Sequence, residues 1–70
     1  MSVTIYTKPS CPYCTRARND LIARGVDYVD IDVTATPGAM EKVAELTLGS
    51  MVVPVLVEED GTVNVAPGGG

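Results

Sequence analysis

The residues able to do chemistry are few: Cys11 and Cys14, three apart in "KPSCPYC" (8–14), with Pro12 and Tyr13 between them. No histidine occurs among the 70 residues, which removes imidazole general-base chemistry and the commonest metal ligand. Cysteine is left as the reactive side chain, and its thiolate is the nucleophile. A Cys-x-x-Cys pair can be a redox dithiol, half of a metal site, or a structural crosslink. A zinc site needs four ligands, and this pair supplies two. A disulfide across three residues closes almost no loop and so adds little stability. Two inert, buried cysteines would sit in an apolar run, whereas Cys11 follows a Lys-Pro-Ser turn. A redox dithiol at a strand-to-helix junction fits best.

The elements that must position the pair are legible on either side. "SVTIY" (2–6) is β-branched and aromatic and reads as a buried strand. From Pro12 onward Cys14, Ala17, Arg18, Leu21 and Ile22 recur at helical spacing, with Arg16, Asn19 and Asp20 outward and Gly25 as a left-handed stop. Cys11 then stands at the helix mouth, where unpaired backbone N–H groups and the positive end of the helix dipole converge. Lys8 and Arg16 are near in sequence, and such surroundings lower a thiol pKa. Pro12 fixes φ at the first helical position, which helps bring the two sulfurs together. The expected roles are attack by Cys11 and resolution by Cys14.

"DYVDIDV" (27–33) alternates and predicts a second strand, with Tyr28 or its neighbours Val29 and Ile31 inward. Thr36 is a candidate cap for a helix opening at Pro37, presenting Met40, Val43, Ala44 and Leu48 on one face and ending at Gly49. "VVPVLVE" (52–58) predicts a third strand, and "EEDGT" (58–62) a hairpin turn on Asp60-Gly61 leading to a short strand, "TVNV" (62–65). The order is β-α-β-α-β-β in a single α/β domain, residues 1–70. Its first two strands should be parallel and its last two an antiparallel hairpin.

Composition narrows the partners. The net charge of −4 divides into +3 over residues 1–25 and −7 over residues 26–70, so basic charge gathers around the cysteines. An acidic whole with four scattered cations in that first part is no footprint for nucleic acid, while a local basic field favours a thiolate and an anionic partner. No run approaches the ~20 apolar residues of a membrane span, and "VTIY" is too short for the apolar part of a signal peptide. The expectation is a cytoplasmic chain, where a stable structural disulfide is out of place.

The residues also carry a resemblance. "VTIYTKPSCPYC" (3–14), "VDYVDIDV" (26–33) and "VVPVLV" (52–57) resemble the glutaredoxin family, whose dithiol site is Cys-Pro-Tyr-Cys. The resemblance implies a thioredoxin-like fold with a four-stranded mixed sheet, glutathione as co-substrate, and glutathionylated or disulfide-bearing proteins as partners, with no metal. It implies that Pro54, after Val53, is the family's cis proline facing the active site, where an extended peptide such as glutathione can pair with the backbone. It implies that Lys8 steadies the thiolate and meets the glutathione glycine carboxylate, and that Tyr13 and Pro12 line the groove. Gly68 and Gly69 match the family's Gly-Gly turn.

After that turn the family has an acidic residue and a final helix, which the 70 residues do not include. The stretches "VTIYTKP" and "DIDV…PGAMEK" and the glycine ending are similar to the short Uxx-star glutaredoxin-like proteins, with selenocysteine or cysteine near the C-terminus. The corresponding expectation is a natural product that continues past Gly70 through a selenocysteine codon. Without a final helix, the face near Leu21, Ile22 and Val65 is expected to be partly exposed, giving a monomer or a weak homodimer. Two alternatives accompany the main reading. One is a redoxin fed by thioredoxin reductase, the type that donates electrons to ribonucleotide reductase. The other is a homodimer carrying an iron–sulfur cluster on two Cys11 thiolates and two glutathiones, a role for which the stiffness of Pro12 is unfavourable.

Overall fold

The first strand runs one residue past the expected span: β1 is Ser2–Thr7 in the computed structural model, which describes residues 2–66. A turn through Pro9 and Ser10 leads to α1 (Pro12–Ala23), with Cys11 as N-cap and Pro12 at the first helical position. There the absent proline N–H removes a donor that would have no intrahelical partner. The helix stops where expected: the Arg24 N–H closes on the Asp20 carbonyl and Gly25 adopts a left-handed φ of 68°. Four further elements follow, β2 (Asp27–Asp32), α2 (Ala39–Leu46), β3 (Val55–Val57) and β4 (Val63–Val65).

The strands form one mixed sheet in the order β2-β1-β3-β4. β1 and β2 are parallel and β3 and β4 antiparallel, as the connections require; β1 and β3 are also antiparallel. Period-two alternation divides the core between the two faces. Val3 and Ile5 of β1 and Leu56 of β3 pack with Ala17 and Leu21 of α1. Tyr6, Val55 and Val33 pack with Ala39 and Val43 of α2, and Cys11, Cys14 and Val53 join this second cluster. Each helix therefore covers one face, and the cysteines lie at the end of the sheet where the head of α1 meets the α2 side. No helix among the described residues is long and apolar enough to cross a membrane.

Several local expectations are corrected. α2 does not open at Thr36-Pro37: Gly38 is its N-cap, with φ of 80°, so the left-handed residue breaks the helical run and leaves Pro37 in the preceding turn. Leu48 is not on the buried face. It follows the C-cap Thr47, takes a left-handed φ of 55° and is 95% exposed. β3 begins at Val55 rather than at residue 52, after the proline that has no N–H for a ladder. On β2, Tyr28 and Ile31 pack against opposite core clusters, while Val29 is exposed because this edge strand has only partial cover. Ile22 and Val65 are exposed as expected, but Leu21 is fully buried beneath α1 against the sheet.

Candidate active site

The site is built on the helix mouth. Ser10 has a left-handed φ of 60°, and Cys11 is extended, at φ −102° and ψ 107°, before the chain turns into α1. This conformation directs the Cys11 sulfur over the first helical turn, where it accepts the Cys14 backbone N–H at 3.2 Å. The Cys11 carbonyl accepts the Thr15 N–H at 3.1 Å, closing the first turn beneath it. Both cysteines are free thiols; Cys11 is 6% exposed and Cys14 fully buried.

The surroundings push the two thiols in opposite directions. Burial acts to raise the pKa of Cys11, but hydrogen bonds from the Cys14 side chain and from the Cys14 and Tyr13 backbone, with the positive charge of Lys8, outweigh it and hold the thiol below its ordinary value. Cys14 is pushed up to about 11, first by burial, then by donating its own S–H to Cys11 and by the charge developing there. The Lys8 backbone N–H and the Arg18 cation act against that rise. The pair can thus present one thiolate, on Cys11, with its partner held as a proton-bearing donor.

The expected groove residues fall around this pair. Lys8 and Pro12 are exposed and border it. Tyr13 is 38% exposed, with the Arg16 guanidinium 5.9 Å from its ring centre. Val53 packs in the same cluster as the cysteines, and the Val53–Pro54 bond is cis, with Pro54 fully buried. From Tyr13 a depression of about 350 Å³ runs along α1 past Arg16, Asp20 and Arg24, floored by Leu56 and Asn64. Gly68 and Gly69 lie outside the described residues.

Three further polar residues meet behind Cys14, and reading the sequence for its site did not single them out. The Thr7 hydroxyl donates to Asp30 Oδ1 at 2.6 Å, and Arg18 Nη1 donates to Asp30 Oδ2 at 2.7 Å. In the sequence Arg18 counts only toward the helical periodicity and the basic charge of residues 1–25. The available signal was an acidic residue at a helix-facing position of a half-apolar strand.

A family model described as Glutaredoxin matches residues 3–62. Gene 56 protein of Mycobacterium phage L5 is 42% identical over 57 residues, 81% of this chain and 54% of that protein. The glutaredoxin of Neisseria meningitidis serogroup A is 46% identical over 54 residues, 76% of this chain and 62% of that one. The chain thus spans little more than half the length of these two curated relatives. Among solved structures, the glutaredoxin-like protein NrdH-redoxin from Escherichia coli superposes with a TM-score of 0.79 at 29% identity, covering 93% of this chain and 82% of that one. The mixed four-stranded sheet and two helices match thioredoxin-like structures.

Proposed function

The chain belongs to the glutaredoxin family, and from that membership we propose that it is a thiol–disulfide oxidoreductase acting through Cys11 and Cys14, with glutathione as co-substrate. The observation that carries the proposal is the Cys11 sulfur taking the Cys14 N–H at 3.2 Å, beside thiols whose proton affinities diverge. The Cys11 thiolate attacks a glutathione mixed disulfide, forms a Cys11–glutathione disulfide and releases the client thiolate. A second glutathione thiolate then displaces Cys11 and leaves as oxidised glutathione. On a protein disulfide, Cys14 attacks the Cys11 mixed disulfide instead, giving the Cys11–Cys14 disulfide and a reduced client.

Lys8 is the group for the ligand's glycine carboxylate, because its ammonium is exposed and its charge reaches Cys11. Pro12, Tyr13, Val53 and Pro54 form the walls along which an extended tripeptide lies; Gly68 and Gly69 are assigned to the same groove by sequence alone. Soluble, cytoplasmic thiol proteins are the clients of this reading.

A second reading, electron supply by thioredoxin reductase, is favoured by the likeness to NrdH-redoxin, whose described activity profile is thioredoxin-like. Disulfide reduction assayed in parallel with glutathione plus glutathione reductase and with thioredoxin reductase separates the two. Turnover with glutathione supports the first reading. Turnover with thioredoxin reductase alone overturns it in favour of the second.

A further inference from the structure

Sheet register places an acid where the helix face of β2 calls for an apolar side chain. Asp30 pairs with Ile5, and Tyr28, two residues back, pairs with Val3. Val3, Ile5 and Tyr28 all pack in the α1-side cluster, so alternation turns Asp30 toward α1 as well. Thr7, two residues beyond Ile5 on β1, shares that side and is 2% exposed. Both carboxylate oxygens of Asp30 are used, one by the Thr7 hydroxyl and one by the Arg18 guanidinium. A second guanidinium nitrogen of Arg18 reaches Thr15 Oγ1 at 3.4 Å.

Arg18 stands one helical turn after Cys14, on the same face of α1. Thr7 immediately precedes Lys8, whose backbone N–H acts to lower the pKa of the Cys14 thiol. Both ends of the Thr7–Asp30–Arg18 bridge therefore lead toward Cys14: one fixes the strand end that carries the Lys8 peptide, the other holds a cation one helical turn away. As a partly exposed ion pair alone, the bridge would contribute little to stability. Around a fully buried sulfur, where no water screens, a fixed cation and a fixed amide weigh more.

We infer that the Arg18–Asp30–Thr7 bridge positions the groups that make Cys14 reactive, and so governs the ring-closing step of the exchange separately from the first attack. The inference rests on the dithiol part of the proposed function. In the ring-closing step Cys14 gives up its proton and its sulfur attacks Cys11 of the mixed disulfide. The Cys11–Cys14 bond forms, the Cys11–client bond breaks, and the client sulfur leaves reduced and takes up a proton. The two cysteines are oxidised by two electrons and the client disulfide is reduced by two. Arg18 favours the Cys14 thiolate that this step requires, while the groups that lower the pKa of the Cys11 thiol are the Cys14 side chain, the Cys14 and Tyr13 amides and Lys8, with no part taken by Arg18. Cys14 shares its core cluster with Cys11, Tyr6 and the uncharged Val33, Ala39, Val43, Val53 and Val55, and the charged groups gathered around the bridge are Lys8, Arg18, Asp30 and Asp32.

The test uses the aromatic disulfide dithiobis(nitrobenzoate), which needs neither glutathione nor a reductase. Cys11 attack releases one coloured thiolate, and ring closure by Cys14 releases a second, so stopped-flow absorbance resolves the steps. In R18Q the second phase slows about 2- to 4-fold near neutral pH, because loss of thiolate is partly offset by higher nucleophilicity. Its rise with pH moves to higher pH, and the first phase is unchanged. R18K regains most of the rate, and D30N, which frees Arg18, also slows the second phase alone. K42Q, which removes an exposed cation from α2, changes neither phase. An R18Q second phase with unmoved rate and pH profile overturns the inference, as does equal slowing of both phases in R18Q and K42Q. Release of only one thiolate by the unaltered protein overturns the dithiol reading itself. Should D30N fail to fold, R18Q and R18K decide the matter alone.

Discussion

The Cys14 backbone nitrogen lies 3.2 Å from the Cys11 sulfur, and the hydrogen bond it donates helps to lower the proton affinity of that thiol. The same helix turn that lowers the proton affinity of Cys11 buries Cys14 completely and raises its own. Under the proposed function, Cys11 is the sulfur that attacks first and Cys14 the one that follows.

Alkylation should separate the two thiols by pH. Because only thiolate reacts, iodoacetamide modification of Cys11 should reach its plateau at a lower pH than a free cysteine does. Cys14 should resist until the pH rises toward about 11. Peptide mapping after limited alkylation reads both; equal modification of the two at neutral pH would contradict the electrostatics.

Lys8 contributes through charge alone, and its effect on Cys11 comes after those of the hydrogen bonds. K8Q should therefore lower the alkylation rate at mildly acid pH by only about twofold, with the pH profile displaced upward. A thiol-specific rate constant measured across pH checks this. An unmoved profile would remove Lys8 from the thiolate's surroundings.

Packing predicts a contrast between two leucines. Leu21 is fully buried between α1 and the sheet, and L21A should cost about 2–5 kcal/mol, a large part of what so small a domain has. Leu48 is 95% exposed in a left-handed conformation, so L48G should lie within about 0.5 kcal/mol of the parent or above it. Midpoints of urea unfolding compare the two directly.

The reactive pair and the elements that carry it were legible because their determinants are local. Pro12 follows an N-capping residue, and Gly25 ends the helix, each within a few residues of what it controls. The second helix shows where local signals compete. Thr36-Pro37 is a sound helix start, but Gly38, one residue on, takes the left-handed conformation and displaces the start to Ala39. Leu48 fits the apolar periodicity and yet falls past the C-cap, where the chain has left the helix. The cis bond at Pro54 was accessible only through family resemblance, since the residues around it are equally compatible with a trans proline before a strand. The Thr7–Asp30–Arg18 bridge joins residues 23 and 12 apart in sequence. Its assembly depends on the parallel register of β1 and β2, which no local pattern encodes.

Trapping the first covalent step tests the central claim most directly. C14S treated with oxidised glutathione, then analysed as intact protein and as peptides by mass spectrometry, should carry one glutathione, on Cys11. C11S treated in the same way should carry none, because Cys14 is buried and proton-bearing. An unmodified C14S protein, or a C11S protein glutathionylated at Cys14 as readily as C14S is at Cys11, would contradict the assignment of Cys11 as the nucleophile.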